Sequence, residues 1–384
     1  KIKKYKIVNV YLDNAATTKI DKEVVKVMTD CLINRYGNPS SIHAFGRKSR
    51  SLIECSRRII AELIDASPRD IFFTSGGTEA DNMAIRGAVR DAGIKNIITS
   101  EIEHPAVINT MSHLKRKNKA NIHYVQLNSS GKIDLDHLDY LLSNNKNVLV
   151  SLMHANNEIG NLICLDTVTT LCAKHKALFH SDTVQTIGHL PISIKKTPLD
   201  FLTCSAHKLH GPKGVGFLYI KDSVNITPLI HGGSQENNMR GGTEYLHGIV
   251  GLSKAMEIAC NNMEYDKRHI LNLKSRMILK LKESIIDIRF NGLSEDLDDS
   301  LYTILSISLP NQEYSDLLLF NLDLFGIACS GGSACSSGSS SPSHVISKLE
   351  GREDRTNIRF SFSKYNTLEE IDYVVQKLSY LINK

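Results

Sequence analysis

Short apolar segments alternate with amphipathic segments between residues 71 and 220, and this alternation limits the possible folds more than any other feature. Strands that alternate with helices are typical of an α/β protein with a largely parallel central sheet. The predicted strands are 71–74, 96–100, 148–153, 178–181, 201–204 and 216–220. The predicted helices include 78–91, 105–118 and 167–176, preceded by two helices over 21–35 and 47–64.

The last third of the chain has a different pattern. A long helix is predicted first, and strands and amphipathic helices then follow singly. The predicted elements are a helix over about 244–283, a strand over 301–309, a helix over 313–325, a strand over 357–362 and a helix over 367–382. We therefore expect a large domain over 15–260 and a smaller α+β domain made of 1–14 and 261–384.

Charge and cysteine content argue against several classes of protein. The 384 residues carry a net charge of +5 without a strong basic block or zinc-finger spacing, so we expect no nucleic-acid partner and no metal site. The eight cysteines include no CxxC pair, which favours a reducing compartment, the cytoplasm. No apolar run is long enough to span a membrane. The chain begins with Lys1 rather than Met, so we expect that a first residue or a short leader is missing.

A lysine follows one of the predicted strands directly. Lys208 lies between two histidines, just after strand 201–204 and before a Gly-Pro turn. Ligands of open α/β sheets collect at the carboxyl ends of the strands, and a lysine there can form a Schiff base with a carbonyl cofactor. The alternative is a surface loop lysine, which this segment alone does not exclude.

A glycine pair, Gly76-Gly77, connects strand 71–74 to the next predicted helix. Such a turn leaves backbone N–H groups and the positive end of the helix available for a phosphate, and Thr78 adds a hydroxyl group. The alternative is an ordinary helix start with Thr78 as its cap.

Two further polar residues end predicted strands. Asp182 follows an apolar strand, where a carboxylate needs a cation or donors, and a protonated pyridine nitrogen is one such cation. His104 follows strand 96–100 and can stack on a flat ring and transfer protons near neutral pH. A cap on the next turn and a structural histidine are the respective alternatives.

Ser and Gly dominate the segment 328–343, a composition that favours a mobile loop. Cys335 lies within it, and Cys329 lies near its start. A plain disordered linker remains the alternative, although it does not explain the embedded Cys335.

These segments together resemble the fold-type I pyridoxal-phosphate enzymes, and within them the group I (NifS/IscS-like) cysteine desulfurases of the class V aminotransferase family. The resemblance extends through nearly the whole chain. Its motifs are Tyr11–Thr18, Gly37–Ser41, Met153–Gly160, Ser205–Gly214, Met239–Thr243, Gly331–Gly338 and Ile358–Ser361. One departure is Ser363-Lys364, where the family often has Gly-Arg.

The resemblance implies pyridoxal 5′-phosphate as the cofactor. Lys208 would bind it covalently, and Asp182 would pair with its pyridine nitrogen. Gln185 would donate to its phenolic oxygen, and His104 would stack on its ring and transfer protons. The phosphate would be bound by Gly77, Thr78, Ser205 and His207, and Thr243 would reach the phosphate in the neighbouring subunit of a homodimer.

The resemblance also implies L-cysteine as the substrate, with Asn157 and Arg359 binding its carboxylate. Cys335 would attack the substrate sulfur and carry it as a persulfide, which leaves L-alanine. The sulfur would then pass to an acceptor protein, either an iron–sulfur scaffold or a relay protein for transfer-RNA thiolation. Matching by motif selects Cys335 as the nucleophile, with Cys329 as the less favoured alternative.

Three other functions are compatible with parts of the pattern. A selenocysteine lyase would use the same residues, and an aminotransferase of the same fold would need no thiol. A non-catalytic protein that kept the fold would need none of Lys208, Asp182, His104 and Cys335.

Overall fold

A seven-stranded sheet forms the centre of the first two thirds of the chain, in the order β2-β8-β7-β6-β5-β3-β4. The structure is a computed structural model that describes residues 9–311, 317–331, 343–349 and 355–383. The strands of this sheet are β2 (Ile71–Thr74), β3 (Asn96–Thr99), β4 (Asn121–Tyr124), β5 (Val148–Ser151), β6 (Leu178–Asp182), β7 (Phe201–Ser205) and β8 (Gly216–Ile220). Only β8 runs against its neighbours, so the predicted largely parallel sheet is confirmed.

Helices cover both faces of this sheet because its strands are apolar on both sides. Phe72 belongs to one apolar cluster and Phe73 to the other, and Phe201 and Leu202 alternate in the same way. Burial of a side chain of this size contributes about 1.5–3 kcal/mol. The helices are α1 (Lys22–Asn34), α2 (Ala44–Leu63), α3 (Gly77–Asp91), α4 (Pro105–Arg116), α5 (Leu135–Asn144), α6 (Leu165–Lys174) and α7 (Leu246–Ser284).

A second, smaller set of strands comes from the last third of the chain, together with one short strand near residue 10. An antiparallel sheet has the order β12-β13-β10-β9, and β1 pairs in parallel with β11. The strands are β1 (Val10–Tyr11), β9 (Arg289–Phe290), β10 (Ile304–Pro310), β11 (Ile327–Ala328), β12 (Ser330–Gly331) and β13 (Arg355–Ser361). Two more helices, α8 (Leu318–Leu324) and α9 (Leu368–Ile382), pack with them around a separate apolar cluster.

The helix α7 extends through residue 260 without interruption. Its first half contributes Leu252 and Met256 to the cluster on the large sheet, and its second half contributes Leu273 and Met277 to the cluster of the smaller sheet. The division of the chain at residue 260 stays a prediction. Within the part of the chain described here, no helix is both long enough and apolar enough to cross a membrane.

Six of these strands and helices were not predicted from the sequence: the two-residue strands β1, β9, β11 and β12, the strand β4 and the helix α5. Strand β4 has only half-buried or exposed residues, so its sequence lacks an apolar run. Helix α5 buries just Leu138 and Leu142. Helix α8 begins at Leu318, whereas residues 313–316 of the predicted helix 313–325 lie outside the described residues.

Candidate active site

The predicted site residues follow strands that end at one edge of the large sheet. Strands β6 and β7 are parallel neighbours, and Asp182 is the last residue of β6 while Lys208 follows β7. His104 comes after β3, which runs in the same direction. The carboxylate of Asp182 and the ring of His104 have atoms within 4.8 Å of each other. The structure therefore brings these residues together at the sheet edge where α/β proteins bind ligands.

The ammonium group of Lys208 contacts the N-terminal segment. Its Nζ donates to the carbonyl oxygen of Ala16 at 2.8 Å and also to that of Ala15. Gln185 Nε2 donates to the same Ala15 oxygen at 3.1 Å. The backbone is held in register because Thr18 donates through its N–H to the carbonyl of His207 at 2.9 Å. Lys208 and Gln185 therefore converge on one carbonyl group.

The ring of His104 begins helix α4 as its cap. Its Nδ1 accepts a hydrogen bond from the backbone N–H of Ala106 at 3.2 Å. This bond assigns the proton of the neutral ring to Nε2. Burial is the main cause that lowers the pKa of His104, while the negative charge of Asp182 opposes the shift. His104 thus has a structural role as the cap of α4, and its Nε2–H remains a hydrogen-bond donor.

Asp182 and Asp81 form a buried pair of carboxyl groups. One oxygen of Asp182 accepts from the N–H of Val184 at 2.9 Å, so it does cap the following turn. Burial and the neighbouring charge of Asp81 raise the pKa of Asp182 to about 6. Asp81 is 1 % exposed, and its Oδ1 has no hydrogen-bond partner among the described residues. A protonated pyridine nitrogen would supply the positive charge that this pair lacks.

The glycine turn before α3 provides an open cradle. Gly76 has φ +149°, and a Cβ added there would lie 3.6 Å from Ser205 Oγ. A Cβ on Gly77 would approach Val184 Cγ2 to 2.9 Å. Helix α3 begins at Gly77 with no side-chain cap, so the alternative of Thr78 as the cap is wrong. The first N–H groups of α3 are thus available to an anion.

A cavity of about 440 Å³ opens beside this cradle, between α3 and α4. Its lining includes Thr78, Asn82, His104 and His113. His207 accepts or donates through Nδ1 to Thr17 Oγ1 at 3.2 Å, and burial lowers its pKa to about 4. It is therefore neutral at physiological pH and would contact a phosphate as a hydrogen-bond donor.

Arg359 is 2 % exposed and held between two acceptors. Its Nη2 pairs with Asp13 Oδ1 at 2.8 Å, and its Nη1 donates to the carbonyl oxygen of Asn157 at 2.8 Å. The Nε of Arg359 has no hydrogen-bond partner in the part of the chain that the structure describes. The two predicted carboxylate-binding residues are thus in contact, and three of the five guanidinium N–H groups, Nε–H among them, take no part in these two bonds.

Cys335 lies outside the described residues, as does the whole of 332–342. The residues on either side of this gap contact the site. Ser330 donates through Oγ to Asp13 Oδ1 at 2.6 Å, and Ser343 donates to Glu158. Thr243, for which a contact with another subunit is predicted, is exposed.

Four acidic residues of the site were not assigned a role from the sequence: Asp13, Asp81, Glu103 and Glu158. Glu103 accepts from the N–H of Met153 through both oxygens, each at 3.0 Å, and burial raises its pKa to about 8. Their sequence signal was weak because an acidic residue next to a motif usually faces solvent. Asp13 and Glu158 do lie inside the matched motifs, which is the signal that could have indicated them.

Comparisons with known proteins agree over the whole chain. The family model for aminotransferase class-V matches residues 10–374. Cysteine desulfurase IscS of Dictyoglomus turgidum is 42 % identical over 380 residues, which cover 98 % of this chain and 95 % of that protein. A solved NifS-like protein has a TM-score of 0.89 at 37 % identity and covers 98 % of this chain and 100 % of its own. SspA in complex with cysteine has a TM-score of 0.80 at 30 % identity, with coverages of 94 % and 100 %. The resemblance seen in the motifs is therefore confirmed, and the chain belongs to the class-V aminotransferase family and, within it, to the cysteine desulfurases.

Proposed function

We propose that the chain converts L-cysteine to L-alanine and transfers the sulfur first to Cys335 and then to an acceptor protein. The observation that carries this proposal is the convergence of Lys208, Asp182 and His104 at one sheet edge, in a chain that belongs to the cysteine desulfurases. A relative whose solved structure contains cysteine supports the substrate.

The family depends on pyridoxal 5′-phosphate, and the residues of this site fit that cofactor. Lys208 would bind it covalently, Asp182 would hold its ring nitrogen in the charged form, and Gln185 would donate to its phenolic oxygen. Its phosphate would bind at the turn formed by Gly77, Thr78, Ser205 and His207. When bound, the cofactor withdraws electrons from the substrate and so makes removal of the Cα proton easier.

Arg359 and Asn157 would orient the substrate through its carboxylate. The guanidinium group is held in place by Asp13 at 2.8 Å, so little side-chain entropy remains to be lost on binding. His104 would then move protons at Nε2, because its Nδ1 is occupied by the helix N–H at 3.2 Å. A lowered pKa favours the neutral ring, whose Nε2–H donates to a group placed beside it.

Sulfur transfer requires a thiolate, which we assign to Cys335. Its sulfur would attack the substrate sulfur, so that an S–S bond forms while the Cβ–S bond breaks. The electron pair of that bond stays with the organic fragment, which takes up protons and leaves as alanine. Burial raises the pKa of Cys329 to about 12, which makes this alternative thiol a poor nucleophile.

The proposed assembly is a homodimer in which Thr243 reaches the phosphate bound by the other subunit. The acceptor would be an iron–sulfur scaffold or a relay protein for transfer-RNA thiolation. We also propose the cytoplasm as the place of action, because eight cysteines without paired spacing are typical of a reducing compartment.

The test compares wild type with Cys335→Ala, Cys329→Ala and Lys208→Ala. The absorbance spectrum of the purified protein reports the bound cofactor, and alanine and sulfide are assayed after L-cysteine and a reductant are added. We expect equal amounts of alanine and sulfide from wild type and from Cys329→Ala. Cys335→Ala should retain the cofactor spectrum and lose turnover, whereas Lys208→Ala should lose both.

Other outcomes would favour the other functions. Turnover of L-cysteine that survives Cys335→Ala would contradict the thiol mechanism, and a keto acid product in place of alanine would favour an aminotransferase. Absence of a cofactor band after pyridoxal phosphate is added would favour the non-catalytic protein. Much faster turnover of selenocysteine than of cysteine would favour a selenocysteine lyase.

A further inference from the structure

Asp81 belongs to no predicted function, yet it lies directly behind the proposed ring site. His180 and Asp182 are two residues apart on β6, so their side chains point to the same face of the sheet. Helix α3 packs on that face and places Asp81 there. Its carboxylate, that of Asp182 and the ring of His104 have atoms that all lie within 4.8 Å of one another.

Burial raises the pKa of Asp81 and a hydrogen bond from Thr203 opposes this effect, but Thr203 is shared with His180. His180 Nδ1 pairs with Ser151 Oγ at 2.9 Å, and its Nε2 pairs with Thr203 Oγ1 at 3.1 Å. The same Nε2 is 3.4 Å from Asp81 Oδ1, and this oxygen has no hydrogen-bond partner among the described residues. A buried carboxylate in this position is costly unless it holds a proton.

We propose that Asp81 and Asp182 hold one proton between them in the cofactor-free protein and release it when a cationic ring nitrogen binds to Asp182. Two buried carboxyl groups this close cannot both ionise at low cost. A bound cation removes that cost, and the proton then leaves to solvent. Asp81 is therefore a positioning residue that sets the charge of the ring site through Asp182. The inference rests on the proposed cofactor.

The surrounding titratable groups agree with this assignment. Burial raises the pKa of Asp81 to about 7, and burial together with Asp81 raises that of Asp182 to about 6. Burial lowers the pKa of His180 to about 4 and also lowers that of His104. Glu103, the remaining acid near the pair, has its pKa raised to about 8 by burial. Near pH 6.5 His180 and Glu103 are thus neutral, which leaves the two aspartates as the carboxyl groups that can exchange a proton.

The experiment measures proton release when the cofactor-free protein binds 4-deoxypyridoxine 5′-phosphate. This probe has the ring and the phosphate but lacks the aldehyde, so the covalent bond to Lys208 cannot form. Titration calorimetry at pH 6.5 in buffers of different ionisation enthalpy gives the number of protons. Wild type is compared with Asp81→Asn, which keeps size and polarity, and with Asp65→Asn, which removes an exposed carboxylate.

We expect wild type and Asp65→Asn to release up to about one proton more per site than Asp81→Asn. The phosphate end of the probe contributes equally to all three proteins, so the difference reports the aspartate pair. Equal release from wild type and Asp81→Asn would overturn the inference and leave the proposed cofactor standing. Failure of all three proteins to bind the probe would overturn both the inference and the proposed cofactor.

A second measurement needs no substitution, in case Asp81→Asn does not fold. Infrared difference spectra of wild type labelled with ¹³C at the aspartate carboxyl groups separate aspartic from glutamic acids. We expect a protonated aspartic acid band at pH 6.5 that disappears when the probe binds. A spectrum in which no such band is lost would overturn the inference.

Discussion

The ion pair of Arg57 and Glu236 supports our most quantitative prediction. Arg57 is 1 % exposed and Glu236 2 %, and their two contacts measure 2.8 and 2.9 Å. Glu236 also accepts from the N–H of Phe73 at 2.8 Å, and the guanidinium group lies 4.8 Å from the Phe73 ring centre. The pair thus fastens the segment before Thr243 to strand β2, which leads to the glycine turn.

Substitution of Arg57 by Met would leave the Glu236 carboxylate buried with the single N–H of Phe73. Removal of one partner from a buried ion pair costs about 3–5 kcal/mol of the free energy of unfolding. For a chain of this size the midpoint of thermal unfolding should fall by roughly 3–10 °C. Differential scanning calorimetry and urea unfolding of the cofactor-free protein measure both quantities.

The double variant Arg57→Met/Glu236→Gln provides the decisive comparison. Gln keeps the bond to Phe73 and removes the stranded charge, so the double variant should be more stable than Arg57→Met alone. Arg276→Met is the matched control, because Arg276 makes the same two-point contact with Asp372, at 2.7 and 2.6 Å, on the surface. Arg276→Met should lower the free energy of unfolding much less than Arg57→Met does. A double variant less stable than Arg57→Met would refute the reasoning.

Three further predictions concern the site and the pH dependence of stability. Arg359→Lys should raise KM for L-cysteine by roughly 10–100-fold with little change in kcat, since a lysine cannot make the planar contact; steady-state kinetics on the holoenzyme would contradict this if kcat alone fell. Gly76→Ala should weaken binding of pyridoxal phosphate by roughly tenfold, because an L side chain is strained at φ +149°; an unchanged Kd from fluorescence titration would disprove it. Burial lowers the pKa of Lys274 to about 7, so between pH 7 and about 10 the unfolded chain binds a proton that the folded chain lacks. The free energy of unfolding of wild type should therefore rise with pH over this range, and urea unfolding should show that Lys274→Met lacks this rise. A parallel rise in both proteins would count against the assignment to Lys274.

The large sheet could be predicted because its strands are continuous apolar runs between turn residues. Strand 71–74 and strand 216–220 were placed at their observed bounds for that reason. The edge strand β4 could not be predicted, because its exposed and half-buried residues show no hydrophobic pattern. The antiparallel direction of β8 also has no local signal, since it depends on pairing with β2 and β7.

Residue type and position alone suggested chemistry at a few residues such as Lys208 and His104, the family resemblance suggested the others, and the roles of all of them stay predictions. Lys208 and His104 follow strands and have few ordinary reasons to be there. Asp81 and Glu103 look like surface residues in the sequence, and it is their burial by α3 and the sheet that makes them unusual. The contact of Asp13 with Arg359 joins residues 346 positions apart, a separation that no local pattern reveals.

The pairing of β1 with β11 has a consequence for how the protein is made. Val10 and Tyr11 leave the ribosome long before their partners, Ile327 and Ala328. Val10, Leu12 and Ala15 are buried in the cluster that α9 completes. During synthesis these apolar residues lack their native neighbours until β11, β13 and α9 have been made, whereas the large sheet has all its strands by residue 220. The nascent chain is thus expected to expose Val10, Leu12 and Ala15 to chaperones until α9 has been made.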